Sequence, residues 1–406
     1  MGLAGLHFGP AMKILTLTML YPNPAQPSFG VFVENRLRHL VASGQVESRV
    51  VAPVPWFPFS HSRFGLYGKL AQVPAVEQRH GLTIRHPRFV TIPKIGADIT
   101  PLMLYGALRG PLRRLHTAER FDLIDAHYFY PDGVAAVLLA RDLGLPVVIT
   151  GRGTDLNLLP AYPLRRRQIR WAARAADGII TVCAALAEPL VELGIARSKV
   201  TVLRNGVDLA AFKPLPRAGL RAELGLDGPT LLSVGWLIPR KGHNIAIEAL
   251  RSLPGVTLLI AGSGPERDSL MALAARCGVA GRVRFLGHVA HDQLSRLYSA
   301  ADALVLASDR EGWANVLLEA MACGTPVVAS DVWGTAEAVT CREAGRLFSP
   351  LTAEALARAA ASLLAHPPER VETRAYAEKF SWDDTTQGQI ALFSRILASR
   401  AGSCPV

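Results

Sequence analysis

Twice along the chain, short apolar runs alternate with stretches of helical periodicity. In the first half the runs are Met12 to Pro22, Val50 to Val54, Leu123 to His127, Val147 to Thr150, Gly178 to Val182 and Lys199 to Leu203. In the second they are Pro229 to Trp236, Val256 to Ala261, Val283 to Gly287, Ala303 to Ala307 and Pro326 to Ser330. Runs this short and this apolar read as strands buried on both faces, and strand–helix alternation implies parallel sheets with helices on each side. At 406 residues the chain is too long for one ordinary core, so the two series predict an α/β protein of two doubly wound domains. The boundaries read as residues 1–208, a linker over 209–217 that contains Pro214 and Pro216, a second domain over 218–378, and a C-terminal helix in 379–406. Met12 reads as the start of the first strand and residues 1–11 as a leader from an upstream start codon. The segment Phe57 to Leu108, rich in Pro and aromatics, reads as a loop-rich edge.

Charge separates the halves. Residues 1–205 hold 24 Lys+Arg against 13 Asp+Glu, whereas residues 206–406 hold 20 of each, so the whole net charge of +11 lies in the first half. That asymmetry points to an anionic partner there. No nucleic-acid recognition motif accompanies it. Arg165, Arg166, Arg167, Arg170 and Arg174 cluster around Trp171, which reads either as a basic helix with an interfacial aromatic on anionic lipid headgroups or as a solvated helix face. No run has the apolar length that spans a bilayer; Ile99 to Leu108 is too short. Five scattered cysteines (Cys183, Cys277, Cys323, Cys341, Cys404) show no metal-ligand spacing and read as reduced cytoplasmic thiols. No Asp-x-Asp pair is placed to hold a divalent ion, since the adjacent Asp383-Asp384 sits in the tail, so no metal or other cofactor is expected.

The densest chemistry lies between Asp309 and Ser330. Glu311 and Glu319 stand seven intervening residues apart. Leu317, Leu318, Ala320, Met321 and Ala322 read as a buried helix stopped by Gly324 and Pro326. Gly312 and Asn315 suit the turn before it, so the first free amides fall near Asn315 to Leu317. Eight residues of helix rise about 12 Å, roughly the span of a sugar diphosphate. A loop carboxylate, helix-start amides and a carboxylate one turn in would match a sugar hydroxyl, a phosphate and a ribose diol respectively. Glu319 among leucines and Met321 also costs free energy unless something pairs with it.

Other strand ends carry weaker signals. Gly30 enters a helix after the first strand and would let an amide approach a phosphate. His127-Tyr-Phe-Tyr-Pro-Asp-Gly and Thr150-Gly-Arg-Gly-Thr-Asp155 follow strand ends, where ligands of open sheets collect. Asp155 could orient an acceptor hydroxyl or a sugar, and Arg152 could meet an anionic acceptor. Arg240 and Lys241 sit at a helix start after Gly235 and suit pyrophosphate oxygens. Gly262 and Gly264 follow the next strand and would let a ribose or base lie on backbone.

The segment EGWANVLLEAMACGTPVVASDVWGTAEAV resembles the E-x7-E signature of the large retaining nucleotide-sugar glycosyltransferase family numbered four, of the bacterial surface or exopolysaccharide type. The resemblance runs from Met12 to about Leu397 and is strongest over residues 229–340. It implies the GT-B fold, two Rossmann-like domains facing a central cleft, with the acceptor bound by the first, the donor by the second, and the tail crossing back to the first. It implies a sugar moved from a nucleotide diphosphate (UDP, GDP or ADP) to a hydroxyl of a lipid-linked or glycan acceptor, with retention, without metal, in the cytoplasm or at the inner face of the membrane. In the implied roles Glu311 positions the sugar, Glu319 holds the ribose, Lys241 with Arg240 neutralises the phosphates, and His127 contacts the sugar. Gly30 and the stretch Gly312, Trp313, Ala314, Asn315 and Val316 face the donor, and Phe285 to Val289 reads the base by main chain. Two positions depart from the family pattern: Arg152 stands where a His is usual, and Trp236 where an Arg is usual. An epimerase on the same fold and an inactive sugar- or lipid-binding module remain alternatives; a phosphorylase would need a pyridoxal lysine and a longer chain.

Overall fold

The structure, a computed structural model, describes residues 11–91 and 96–402. The expected leader and Cys404 fall largely outside them. The chain divides into two compact units. One runs up to Leu203 and resumes at Asp383; the other is Arg204–Trp382. The division thus falls a few residues ahead of the linker read from Pro214 and Pro216.

The first unit is built on an eight-stranded sheet. Its strands are Met12–Leu17 (β1), Val46–Val51 (β2), Val76–Arg79 (β3), Leu82–Arg85 (β4), Leu123–His127 (β5), Val147–Gly151 (β6), Gly178–Thr181 (β7) and Val200–Val202 (β8). They lie in the order β8-β7-β6-β5-β1-β2-β4-β3, all parallel except the β3–β4 pair. Every residue of β5, β6 and β7 is buried, as a sheet covered on both faces requires. The strand order reverses between β1 and β5, so the loops that leave those two strands flank the unit's switch point.

The segment expected to be a loop-rich edge holds more order than its composition suggests. It contains the β3–β4 hairpin and the start of a 20-residue helix, Thr100–Glu119, despite Gly106, Gly110 and Pro111. Leu104, Leu108 and Leu112 recur every fourth residue and are buried, and that apolar stripe outweighs the breakers. The helix Trp382–Ala401 completes this unit: Ile390, Leu392, Phe393 and Ile396 enter a core with Ile14, Leu37, Val148 and Ile180. Gln389, 1% exposed, fastens it. Arg36 Nε donates to Gln389 Oε1 at 2.9 Å, and Gln389 Nε2 donates to Asp125 Oδ2 at 2.9 Å.

The second unit holds six parallel strands: Thr230–Val234 (β9), Thr257–Ala261 (β10), Val283–Gly287 (β11), Ala303–Leu306 (β12), Val327–Ser330 (β13) and Gly345–Phe348 (β14). Their order is β11-β10-β9-β12-β13-β14. The reversal lies between β9 and β12. Only β14 went unread in the sequence: it is a four-residue edge strand with a half-buried middle and no apolar run.

Replacing Gln389 by Ala should leave a buried guanidinium donor and a buried carboxylate each short of a partner. We expect a loss of about 2–3 kcal/mol in urea unfolding, from the cost of orphaned buried polar groups. An unchanged midpoint would show that water replaces the amide.

Candidate functional site

In the second unit the switch point brings two loops together. The loop after β9 runs from Gly235 through the turn Pro239–Lys241 to Gly242, which opens the helix His243–Ala249. The loop after β12 runs from Ala307 to Ala314, ahead of the helix Asn315–Ala322. Gly242 has φ 64°, and a Cβ there would lie 1.9 Å from the Ala307 carbonyl oxygen, so only glycine lets the loops touch. They are laced by Asp309 N donating to Arg240 O at 3.0 Å and by an Arg240 guanidinium N–H donating to Arg310 O at 3.0 Å.

This contact sets Glu311 against the two cations. Lys241 Nζ lies 2.6 Å from Glu311 Oε1, Arg240 lies 3.2 Å from the same oxygen, and Ser308 Oγ donates to it at 2.7 Å. Burial alone would raise the Glu311 carboxyl, but Lys241, Arg240 and the Ser308 hydrogen bond carry it below its ordinary value. All three donors converge on Oε1; Oε2 has no hydrogen-bond partner among the described residues. The carboxylate is therefore fixed, ionised and left with one oxygen for a ligand hydroxyl.

Glu319, 8% exposed, lies within the helix Asn315–Ala322 among Leu317, Leu318 and Met321, which are fully buried. Its pairing partners are side chains the sequence reading did not single out. His291 Nε2 lies 3.0 Å from Oε1, and the Tyr298 hydroxyl donates to Oε2 at 2.9 Å. The helix begins without a side-chain cap at Ala314; the Leu317 amide, expected to be free, donates to Ala314 O at 3.0 Å, so the amides of Asn315 and Val316 are the ones left for an anion. The Trp313 side chain faces inward: its indole N–H donates to Asn205 O at 3.1 Å, and Asn205 also donates to Asn315 Oδ1 at 3.2 Å. Gly312, Ala314 and Trp313 are buried and Val316 half-buried, so main chain is what this stretch offers.

Three glycines have a reason other than the one read from sequence. A Cβ on Gly262 would lie 1.8 Å from Gly235 O, and one on Gly264 2.4 Å from Leu237 O, so these two seat the β10 loop against the β9 loop. A Cβ on Gly30 would meet the Leu20 backbone at 2.3 Å, which accounts for that glycine by a tight turn in its own chain. Val289 is half-buried just beyond β11, and Trp236 is 56% exposed.

In the first unit, His127 and Asp155 are both buried. His127 is 1% exposed, with Nε2 3.3 Å from Asp125 Oδ2 and Nδ1 2.7 Å from an Arg152 guanidinium nitrogen. A guanidinium only donates, so Nδ1 accepts and Nε2–H points to Asp125. Burial, against the pull of Asp125, lowers the His127 pKa to about 4, so the ring is neutral. Both its neighbours, Asp125 and Arg152, belong to the buried polar wall below the loop. Asp155 is fully buried and accepts from Phe129 N at 2.8 Å, Arg152 N at 3.0 Å and Gly153 N at 2.8 Å. It ties the loop together through these three amides. Arg152, 8% exposed, lies over the Phe32 ring at 5.4 Å. Asp132, within the segment read from sequence but not singled out, is 2% exposed, accepts Met19 N at 3.1 Å, and is pushed up to about 8 by burial.

The basic helix is Pro163–Ala175. Trp171 is half-buried beneath Arg141, whose guanidinium carbon lies 4.9 Å from the ring centroid, and so is not the exposed aromatic expected. Arg165 pairs with Asp98 at 2.7 Å and Gln168 donates to Asp98 O, which brings this helix beside Ile99 and Leu102. Tyr162, Leu164, Ile99 and Leu102 are all exposed there, with Arg166, Arg167 and Arg170 exposed along the helix. Among the described residues no helix is long and apolar enough to cross a membrane, and no cluster of three or more His, Cys, Asp or Glu could hold a metal ion.

Two sheets of this topology, each with its reversal, define a two-domain α/β protein with a carboxylate–cation centre in the second. Residues 220–380 match the family model described as glycosyl transferases group 1, and residues 29–211 that of glycosyltransferase family 4. D-inositol 3-phosphate glycosyltransferase of Segniliparus rotundus is 33% identical over 81% of this chain and 78% of its own length. The enzyme of the same name from Mycobacterium bovis is 33% identical over 80% of this chain and 73% of its own length. Among solved structures, sucrose-phosphate synthase from Thermosynechococcus elongatus is similar with a TM-score of 0.79 at 23% identity, covering 95% of this chain and 100% of that one. An Anabaena protein solved with UDP has a TM-score of 0.73 at 24% identity, covering 96% and 100%. The chain belongs to the group 1 glycosyltransferases, has the GT-B fold of two Rossmann-like α/β domains, and is an enzyme of the hexosyltransferase class.

Lys241→Met should strand part of the Glu311 charge and cost about 2–4 kcal/mol in urea unfolding, Arg240 and Ser308 limiting the loss. Glu311 has a lowered folded pKa. Its contribution is therefore present above the ordinary carboxylate value of about 4.3 and fades as pH falls through the lower folded value. In Lys241→Met that fade should begin at a higher pH.

Proposed function

We propose that this enzyme transfers a sugar from a nucleotide diphosphate to a hydroxyl of a lipid-linked or glycan acceptor, with retention at the anomeric carbon and no metal. The observation that carries the reading is the Lys241–Glu311 contact across the second switch point, with Glu319 on the helix that follows. A donor laid along that helix start meets Glu311 Oε2 at its sugar, main-chain amides and the Arg240–Lys241 charges at its diphosphate, and Glu319 at its ribose. The acceptor oxygen forms its bond to the anomeric carbon as the carbon–oxygen bond to the diphosphate breaks on the same face, and the acceptor proton passes to the leaving phosphate. The charge that develops there needs a counter-charge. One unit charge at 4 Å and an effective dielectric of 20 contributes about 4 kcal/mol, enough to matter for rate.

The Anabaena neighbour was solved with UDP and with UDP-glucose, which supports a nucleotide-sugar donor, with a uridine nucleotide the first to try. The basic excess of the first half and the exposed Tyr162, Leu164, Ile99 and Leu102 beside Arg166, Arg167 and Arg170 favour an acceptor presented at an anionic membrane surface.

A thermal-shift screen against UDP-, GDP- and ADP-sugars should find one that stabilises; a hundredfold excess over Kd is worth about 2.7 kcal/mol. With that donor, product should form in EDTA and keep the donor's anomeric configuration by NMR. Lys241→Ala should lower the rate by roughly 10²–10³. Donor turnover without any acceptor would mark an epimerase instead. Vesicle binding should weaken when Arg166, Arg167 and Arg170 are neutralised, and equal binding to neutral and anionic vesicles would remove the membrane part of the proposal.

A further inference from the structure

We infer that His291 is a positioning residue which, together with Tyr298, presents Glu319 as a two-oxygen acceptor for the vicinal hydroxyls of the donor ribose. The inference rests on the nucleotide-sugar reading above. Each Glu319 oxygen already accepts one bond: Oε1 lies 3.0 Å from His291 Nε2 and Oε2 receives the Tyr298 hydroxyl at 2.9 Å. A carboxylate oxygen has two acceptor directions, so one remains on each. Two vicinal hydroxyls offer two donors, and a carboxylate clamped at both oxygens meets them without first being ordered.

The two clamps are unlike. Tyr298 is fully buried, and burial with the nearby Glu319 charge holds its phenol well above the usual value, so it stays a donor at any working pH. The His291 side chain is 44% exposed. It sits in the turn His291–Gln293, and the Phe212 ring packs edge-on at 5.0 Å. The charged and titratable groups that act on it are Glu319 from the helix Asn315–Ala322, Asp208 from the segment before Phe212, and its neighbour Asp292; all are acidic. The hydrogen bond to Glu319, against burial, raises its pKa, and the two aspartates add to that. Below that value the imidazolium donates a charge-assisted bond. Above it the neutral ring still donates from Nε2 to the carboxylate, but the attraction between opposite charges is gone and the bond is weaker. Ribose recognition should therefore weaken, without vanishing, as pH rises through the His291 pKa.

The test is calorimetric binding to the full chain of UDP, GDP and ADP and of their 2′-deoxy counterparts at about pH 6 and about pH 8.5, on either side of an imidazole titration. The tightest base is carried forward. Wild-type protein should prefer the ribonucleotide by roughly tenfold and lose several-fold of that preference at the higher pH. His291→Ala should bring ribo and deoxy affinities closer together, weakening the deoxy form, which keeps one hydroxyl on Glu319, less than the ribo form. His291→Gln, whose amide donates without titrating, should keep the preference and flatten its pH dependence. An undiminished preference in His291→Ala, or an equal loss for ribo and deoxy forms, overturns the inference. Undiminished preference in Glu319→Ala sinks the ribose role itself, and no binding of any of the three diphosphates overturns the nucleotide reading on which both depend.

Discussion

Lys241 meets Glu311 because β9 and β12 are neighbours in the sheet though far apart in the chain, and the loops that leave them must part in opposite directions. A buried carboxylate and a nearly buried ammonium each lose several kcal/mol of hydration, which only close pairing recovers. Here Arg240 and Ser308 add to the pairing at the same oxygen, so the balance favours ionised groups. The demand for that geometry propagates outward. Gly242 has no side chain because Ala307 O occupies its place, and Gly262 and Gly264 are bare because the β9 loop lies against them. What looks in sequence like room for a ligand is, at these positions, room for the protein's own backbone.

The first unit uses buried polarity differently. Asp125 is fully buried and shared between His127 and Gln389. Asp155 gathers three loop amides, and Asp132 takes the amide of Met19 from the loop across the switch point. These groups face inward and tie loops to strands. The first unit's ligand-side ends are thus held rigid from beneath, whereas the second unit keeps a carboxylate oxygen and helix amides available.

Much of the fold was legible because parallel strands buried on both faces leave unbroken apolar runs, and those runs were found within a few residues of where the strands lie. The strands that were missed, β3, β4 and β14, lie at or next to sheet edges, and their alternating or half-polar sequences carry no such run. The helix Thr100–Glu119 hid behind Gly106, Gly110 and Pro111, although its leucine stripe at every fourth residue was present in the text. Among site residues, the Glu311–Glu319 spacing and the helix start were readable from local rules. His291 and Tyr298 were not, since their role depends on an approach of two helices that sequence distance conceals. For His127 a histidine at a strand end marks the region, but its burial beside Asp125 and Arg152 could not be read from the sequence.

The helix that carries Ile390, Leu392, Phe393 and Ile396 is made after the whole second unit yet fills the core of the unit begun first. On the ribosome, Arg204–Trp382 emerges as one continuous stretch and can close its own core as soon as it clears the exit tunnel. The N-terminal unit has to wait, with the seat for Phe393 uncovered and Arg36 and Asp125 short of their shared partner Gln389, until this helix has been made. Vectorial synthesis would then run against chain order, the later-made body maturing before the earlier one, and a C-terminal truncation of a few turns would harm the N-terminal half most.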